Sequence, residues 1–397
     1  MNSWSKNRWI GLGVLTVVLH ATLVFFIIPA FSSRLAPSYN QDRFTDGYDA
    51  LAANLVAGNG YRFYPETSLT LMREPGYPIV LAGLLIVFGN SFLAVKLTNV
   101  VLALATAWLI MRLGRRISSN PILLVAPPLL FLFHPATLIA ESRGGVEILF
   151  TFLVIAFMLA VYKAIETNTW QRYALAGTVL GLTVLVRSTP MLFPAFLFAY
   201  LVVIQRQRVP TLTIARNIAI MIVAMVVMLS PWIIRNYNLT GRFVPTADVL
   251  GVSAHAGQYI CTHFAGDEPW VLLDRDASRE RSQLALAQGY QFKDGYYQAF
   301  YSTEDELNFS GFLAHRVFGT YKENPALCAK CMAYNLFNFW FAGKSRMSTV
   351  MNVVVQLPYL ILAAIGIVVC VKNKQFLAIG PFVVFIVYVV AVYVPIL

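Results

Sequence analysis

The sequence predicts an all-α integral membrane protein whose chain crosses the bilayer many times. Of its 397 residues, 58% are hydrophobic and 12% charged, about half the roughly 25% charged share of globular domains. Mean hydropathy is +0.65, and apolar windows long enough for a hydrocarbon core of about 30 Å recur along the chain. The positive charges concentrate in short segments between alternate windows, as the positive-inside rule requires of a polytopic protein.

Nine windows read as transmembrane helices: 9–31, 92–113, 120–138, 147–163, 171–187, 190–205, 216–234, 349–371 and 376–397. The fifth and sixth are short and pair closely. The first follows a short basic stretch, as a signal peptide would. It is longer than a signal's apolar core and lacks an A-x-A cleavage pattern, so it reads as a retained span. With the amino terminus inside, the inner segments carry Lys6, Arg8, Arg112, Arg115, Arg116, Lys163, Arg172, Arg206, Arg208, Arg216, Lys372 and Lys374. Glu166 is then the one inner acid. This placement also explains the net charge of +11 without nucleic acid as a partner.

The chain reads as a single membrane domain in four blocks. Block 32–91 is an outer loop with helix-like pieces at 46–57 and 76–89, separated by the G-N-G turn at 58–60. The second piece is too short to span and suits a helix lying at the interface. A helical bundle occupies 92–234, a second polar outer region 235–348, and two closing helices 349–397. Four cysteines are present. Cys261, Cys328 and Cys331 fall outside, where an oxidising compartment permits a disulfide. Cys328-x-x-Cys331 lacks a second pair, and His255, His263 and Cys261 match no zinc spacing. No cofactor and no metal are expected.

Ionisable groups against a bilayer are costly and mark candidate sites. Asp46 precedes the first helix-like piece, where an Asp either caps the helix or, partly desolvated, acts as a general base. Arg73-Glu74-Pro75-Gly76-Tyr77-Pro78 sets an arginine at the start of the interfacial helix. Its fork of donors beside peptide N–H groups suits a phosphate, and snorkelling to headgroups is the alternative. Glu74 is a candidate partner for Arg73. Glu141, Arg143 and Glu147 cluster near His134-Pro135, with Glu147 at a helix start where capping is the plain alternative. Arg187 and Arg235 end separate apolar helices on the outer side, against the charge bias, and suit an anion or one of these acids. No Walker loop, nucleotide fingerprint or G-x-S-x-G elbow occurs.

In this order the pieces resemble the GT-C glycosyltransferases of the dolichyl-phosphate-mannose–protein mannosyltransferase type, a superfamily that includes the bacterial aminoarabinose transferase of lipid A. The resemblance runs from about Asp46 to Trp340. Its carriers are T-D-G-Y-D-A-L-A-A-N-L-V-A-G-N-G-Y at 45–61, R-E-P-G-Y-P at 73–78 and G-V-E-I-L-F at 145–150. They continue with G-L-T-V-L-V-R-S-T-P at 181–190, P-W-I-I-R-N-Y at 231–237 and the N-P at Asn324.

The resemblance implies a GT-C bundle and an inverting transfer of a sugar from a polyprenyl-phosphate donor, without nucleotide. The acceptor would be a glycolipid, a cell-envelope polymer or a protein. The reaction would occur on the periplasmic face of a bacterial inner membrane. Asp46 would be the catalytic base, Glu147 a second acid and Arg73 the donor-phosphate residue. Arg187 and Arg235 are added on their charge as phosphate clasps, and Tyr48, Glu74, Tyr77 and Glu141 as cavity residues. The chain departs from some members in lacking a large carboxy-terminal soluble domain and an R-Y-x-x-P motif. A multi-pass transporter or lipid-linked sugar flippase is the alternative, although charges crowding at one face favour surface chemistry over a translocation path. The sugar, the acceptor and the oligomeric state are not written in these residues.

Overall fold

The computed structural model describes residues 3–30, 47–205, 207–263, 270–293, 298–343 and 346–395. It is helical apart from one two-stranded antiparallel ribbon, β1 (Phe292–Lys293) with β2 (Ala299–Phe300). The helices are α1 (Ser3–Thr22), which continues as a π-helical turn over Leu23–Ile27, α2 (Tyr48–Val56), α3 (Gly76–Phe88), α4 (Phe92–Gly114), α5 (Pro121–Leu132) and α6 (Pro135–Arg143). Next come α7 (Val146–Thr167), α8 (Trp170–Val186), α9 (Phe193–Gln205) and α10 (Thr211–Thr240). The chain finishes with α11 (Leu250–His263), α12 (Trp270–Ala287), α13 (Thr303–Glu323), α14 (Pro325–Phe341), α15 (Arg346–Lys372) and α16 (Phe376–Tyr393).

Local sequence sets many of these boundaries. Ser91 caps α4 by accepting from Ala94 N, and Asn120 caps α5 by accepting from Ile122 N, with Pro121 in the first turn. Each satisfies an N–H that the helix leaves open. Gly144 ends α6 and Gly241 ends α10, both left-handed, where a glycine avoids the Cβ penalty.

Among the described residues six helices are long and apolar enough to cross a membrane, or seven if α5 and α6, bent by 47°, are one span. The expected count of nine is not confirmed by length and composition. The apolar segments expected at 171–187 and 190–205 are helical, but α8 has 17 residues and α9 only 13. Both fall short of the roughly 20 residues that a span requires. Ser188-Thr189-Pro190 divides them, since proline restricts the residue before it and lacks a donor of its own.

The bundle core lies where α7, α8, α9, α10 and α16 meet, around Phe157, Leu180, Phe193, Met221 and Tyr388. Gly177 and Gly181, one turn apart on α8, allow α10 to lie directly against it. A Cβ on Gly177 would collide with the Met221 carbonyl oxygen, and one on Gly181 would press on Met228 and Met225. Small residues at this spacing let helix backbones approach in an apolar environment. The interfacial helix expected at 76–89 is α3, whose 13 residues extend only about 20 Å.

The second connecting region has its own small core of Ala285, Phe300, Phe309 and Leu313. A disulfide joins Cys261 of α11 to Cys331 of α14, while Cys328 and Cys370 are free. This region docks on the first one along residues 66–72. Ser68 N donates to Phe300 O at 3.0 Å, Thr303 Oγ1 to Leu69 O at 2.6 Å, and Asp248 N to Leu71 O at 2.8 Å. Lys293 forms an ion pair with Glu66.

Candidate active site

The motif after α2 is a turn built by its amides and glycines. Gly58 and Gly60 adopt φ of 78° and 81°, which glycine tolerates best. A Cβ on Gly60 would also stand 2.9 Å from Leu69. Asn54 donates to Arg62 O at 3.0 Å and Phe63 O at 3.2 Å, and accepts from Asn59 Nδ2 at 2.9 Å. The turn thereby delivers Tyr61, whose hydroxyl donates towards Arg73 O (3.1 Å) and Glu74 O (2.9 Å). One phenol thus fixes the backbone that carries both charged side chains.

Each residue of R-E-P-G-Y then has a physical task. Glu74 is buried, and its Oε1 accepts from Ser188 N at 2.9 Å. Gly76 opens α3 where its backbone lies against Leu185; a Cβ there would come within 2.7 Å of the Leu185 carbonyl oxygen. Tyr77 is buried, donates to Gly144 O, and meets the buried Tyr48 edge to face at 5.4 Å. Burial raises the Tyr77 phenol well above its ordinary range, and nearby Glu147 adds to the effect. Arg73 is half-buried, with Nη1 donating to Met72 O at 3.1 Å.

Glu147, in the first turn of α7, pairs with Arg187 at 3.0 Å; their side chains are 51% and 30% exposed. Arg187 follows the last residue of α8, beside Ser188. The fold therefore brings Glu74, Tyr77, Glu147 and Arg187 into one neighbourhood from three stretches of chain, while Arg73, next to Glu74 in the chain, has Tyr61 and Arg281 near its charge. It does not bring Glu141 there. Glu141 is fully buried against the first span, its Oε2 at 3.0 Å from Nε2 of the equally buried His20. Asp46 and Asp42 lie outside the described residues.

Arg235 sits apart from the Glu147–Arg187 pair. Its guanidinium lies 4.4 Å from the Trp232 ring and donates to Thr70 O at 3.1 Å and Asn236 Oδ1 at 2.9 Å. The histidines of α11 are also engaged: His263 stacks on Tyr259 at 4.0 Å, and His255 stands 3.7 Å from Glu280.

Several charged residues beside this neighbourhood escaped motif reading. Glu306 is 3% exposed; its Oε1 accepts from Leu71 N at 2.6 Å and its Oε2 from Thr70 Oγ1 at 2.8 Å. Burial pushes its carboxyl up to about 7, with Asp248 adding to the rise and Arg235 opposing it. Asp248 is itself raised by burial. Arg281 of α12 is 8% exposed and near Arg73, and burial lowers its affinity for its proton. A signal was present. Glu306 shares a helical stripe with Phe309, Ser310, Leu313 and Val317, and Arg281 with Leu273, Ala277 and Ala285, all buried. A charge on an otherwise apolar face is the informative exception.

Comparison with known proteins bears on the same stretch. Residues 73–234 match the family model of dolichyl-phosphate-mannose-protein mannosyltransferase. Of the resemblance read from the sequence over about 46–340, the family model covers 73–234 and not the Asp46 segment. The match covers less than half of the chain. The matched stretch begins at Arg73, takes in Glu74, Tyr77, Glu147 and Arg187, and ends one residue before Arg235. No curated protein and no solved structure matched the chain.

Proposed function

We propose that the chain transfers a sugar from a polyprenyl-phosphate carrier to an acceptor, on the extracytoplasmic face of a bacterial inner membrane. The observation that carries this reading is the meeting of Glu74 with Ser188, of Tyr77 with Glu147 and of Glu147 with Arg187, inside the family match and directly after Arg73. Breaking a sugar–phosphate bond places negative charge on the leaving oxygen, and guanidinium groups there stabilise it. In this reading Arg73 holds the carrier phosphate, and Asp46 removes the acceptor's proton as the acceptor attacks the anomeric carbon with inversion. Glu147 holds Arg187 in place beside Ser188. Arg235, stacked on Trp232, braces the Arg73 segment through Thr70. The acceptor is a glycolipid, a cell-envelope polymer or a protein.

Transfer from a panel of radiolabelled polyprenyl-phosphate sugars tests this, comparing the native chain with Asp46→Asn. The expected result is turnover abolished in the variant with donor binding retained. Unchanged turnover would remove Asp46 from the mechanism, and no transfer by the native chain from any donor would favour a flippase.

A further inference from the structure

Among the described residues, Arg281 is a buried cation with two donors unmet. It lies on the buried stripe of α12, 8% exposed, and its Nε and Nη1 are buried without a hydrogen-bond partner. Burying a guanidinium costs several kcal/mol unless its donors and charge are met. The nearby Glu280 is already shared by His255 Nε2 and Arg316 Nη2, each 3.7 Å from Oε1. Asp274 favours the Arg281 charge, but Arg73 stands close enough to oppose it. Two further polar atoms on α11 are buried without a partner, His255 Nδ1 and Gln258 Nε2. His255 is held down to about 4 by burial and by the charges of Arg281 and Arg316. Arg281, Arg73 and Arg316 thus gather where the donors Arg281 Nε, Arg281 Nη1 and Gln258 Nε2 remain unfilled among the described residues, which is the complement of an anion.

We infer that Arg281, on the second connecting region, binds a substrate phosphate together with Arg73, on the first. This rests on the reading of Arg73 given above and extends it: the phosphate would be gripped from two regions more than 200 residues apart in sequence. A guanidinium offers paired donors along its edges to phosphate oxygens, and the unfilled Nε and Nη1 of Arg281 each share an edge with Nη2. Two sources supply this chemistry, the isoprenoid carrier and a phosphate-headed lipid acceptor.

The test uses the full chain in zwitterionic nanodiscs, with native protein, Arg281→Gln and Arg281→Lys. The probes are a polyprenyl monophosphate, the matching polyprenol and phosphatidic acid. Arg281→Gln is expected to weaken polyprenyl-phosphate binding roughly tenfold or more, the loss of a charge-assisted bond, while polyprenol binding is unchanged. Arg281→Lys should fall between the two. An equal loss for phosphatidic acid upholds the site and assigns it to lipid phosphate in general; a loss confined to the isoprenoid assigns it to the carrier.

A second readout is the His255 titration by NMR. Phosphate bound beside Arg281 offsets its charge, so the native His255 titration should move upward when polyprenyl phosphate is added. Should Arg281→Gln fail to fold, this titration decides alone. Native-like phosphate binding by Arg281→Gln, or a His255 titration unmoved by the ligand, overturns the inference. The outcomes separate it from the transferase reading. Arg281-dependent binding without sugar transfer sinks only the latter, and transfer with native KM in Arg281→Gln sinks only the former.

Discussion

The two connecting regions hold their charged groups differently. In the first, charges sit at a turn: Glu74 just before α3 accepts the Ser188 N–H, and the half-buried Arg73 beside it donates to Met72 O. In the second, Glu306 and Arg281 occupy the buried faces of α13 and α12. Glu74 is as buried as these, but a backbone donor meets its charge. The charges of the second region are sensitive to every neighbour, because low-dielectric surroundings magnify both pairing and its absence. The first region thus has the geometry of a fixed frame, and the second supplies groups whose state depends on what lies beside them.

The largest test of this difference is the Cys261–Cys331 bridge, which closes a loop across 70 residues. Replacing both cysteines with serine should cost about 4 kcal/mol of stability on the chain-entropy model. Hydrogen exchange then sharpens the comparison. Protection lost only over 250–341 makes the second region a separate unit, and equal loss over 47–75 makes the two regions one cooperative body.

A middle-sized effect concerns acidity. Glu306 is raised to about 7 from a usual value of 4.5, so between those values the folded chain holds a proton that the unfolded chain has released. Its contribution is therefore fully present below about pH 4.5 and is lost as pH rises towards 7. Melting temperatures of native chain and Glu306→Gln across pH 4.5–8 check this. The native curve should fall more steeply through that window, and parallel curves would show that Glu306 does not titrate there.

The smallest effect belongs to the exposed Glu147–Arg187 pair. A double-mutant cycle with Glu147→Gln and Arg187→Gln should give a coupling of about 0.2–1 kcal/mol in stability. Turnover should fall by more than that coupling implies if the pair orients the cavity. Turnover tracking stability alone would reduce the pair to an ordinary surface contact.

These differences also explain what could be read in advance. The helical membrane architecture followed from apolar length, and R-E-P-G-Y stood out because glycine and proline at a helix start demand a local reason. Gly76 does lie against Leu185, and Tyr77 does reach Gly144. The number of spans was less legible, since α8 and α9 owe their positions to packing against α10 and α16 rather than to length. Glu141 looked like part of the Glu147 cluster by proximity in sequence. The turn at Gly144 instead points it to His20, 121 residues away. Glu306 and Arg281 were hidden because their surroundings come from distant segments: Thr70 and Leu71 in one case, Arg73 in the other.

The docking of residues 66–72 on Phe300, Thr303 and Glu306 has a bearing on biogenesis. A ribosome emits the Arg73 segment early, and Tyr61, Ser188 and Arg235 can fasten part of it, yet Phe300, Thr303 and Glu306 arrive more than 200 codons later. Helices α4 to α10 can insert during that interval, before residues 66–71 meet α13. Co-translational maturation should consequently finish late, once α13 has emerged and folded back onto the earliest part of the chain.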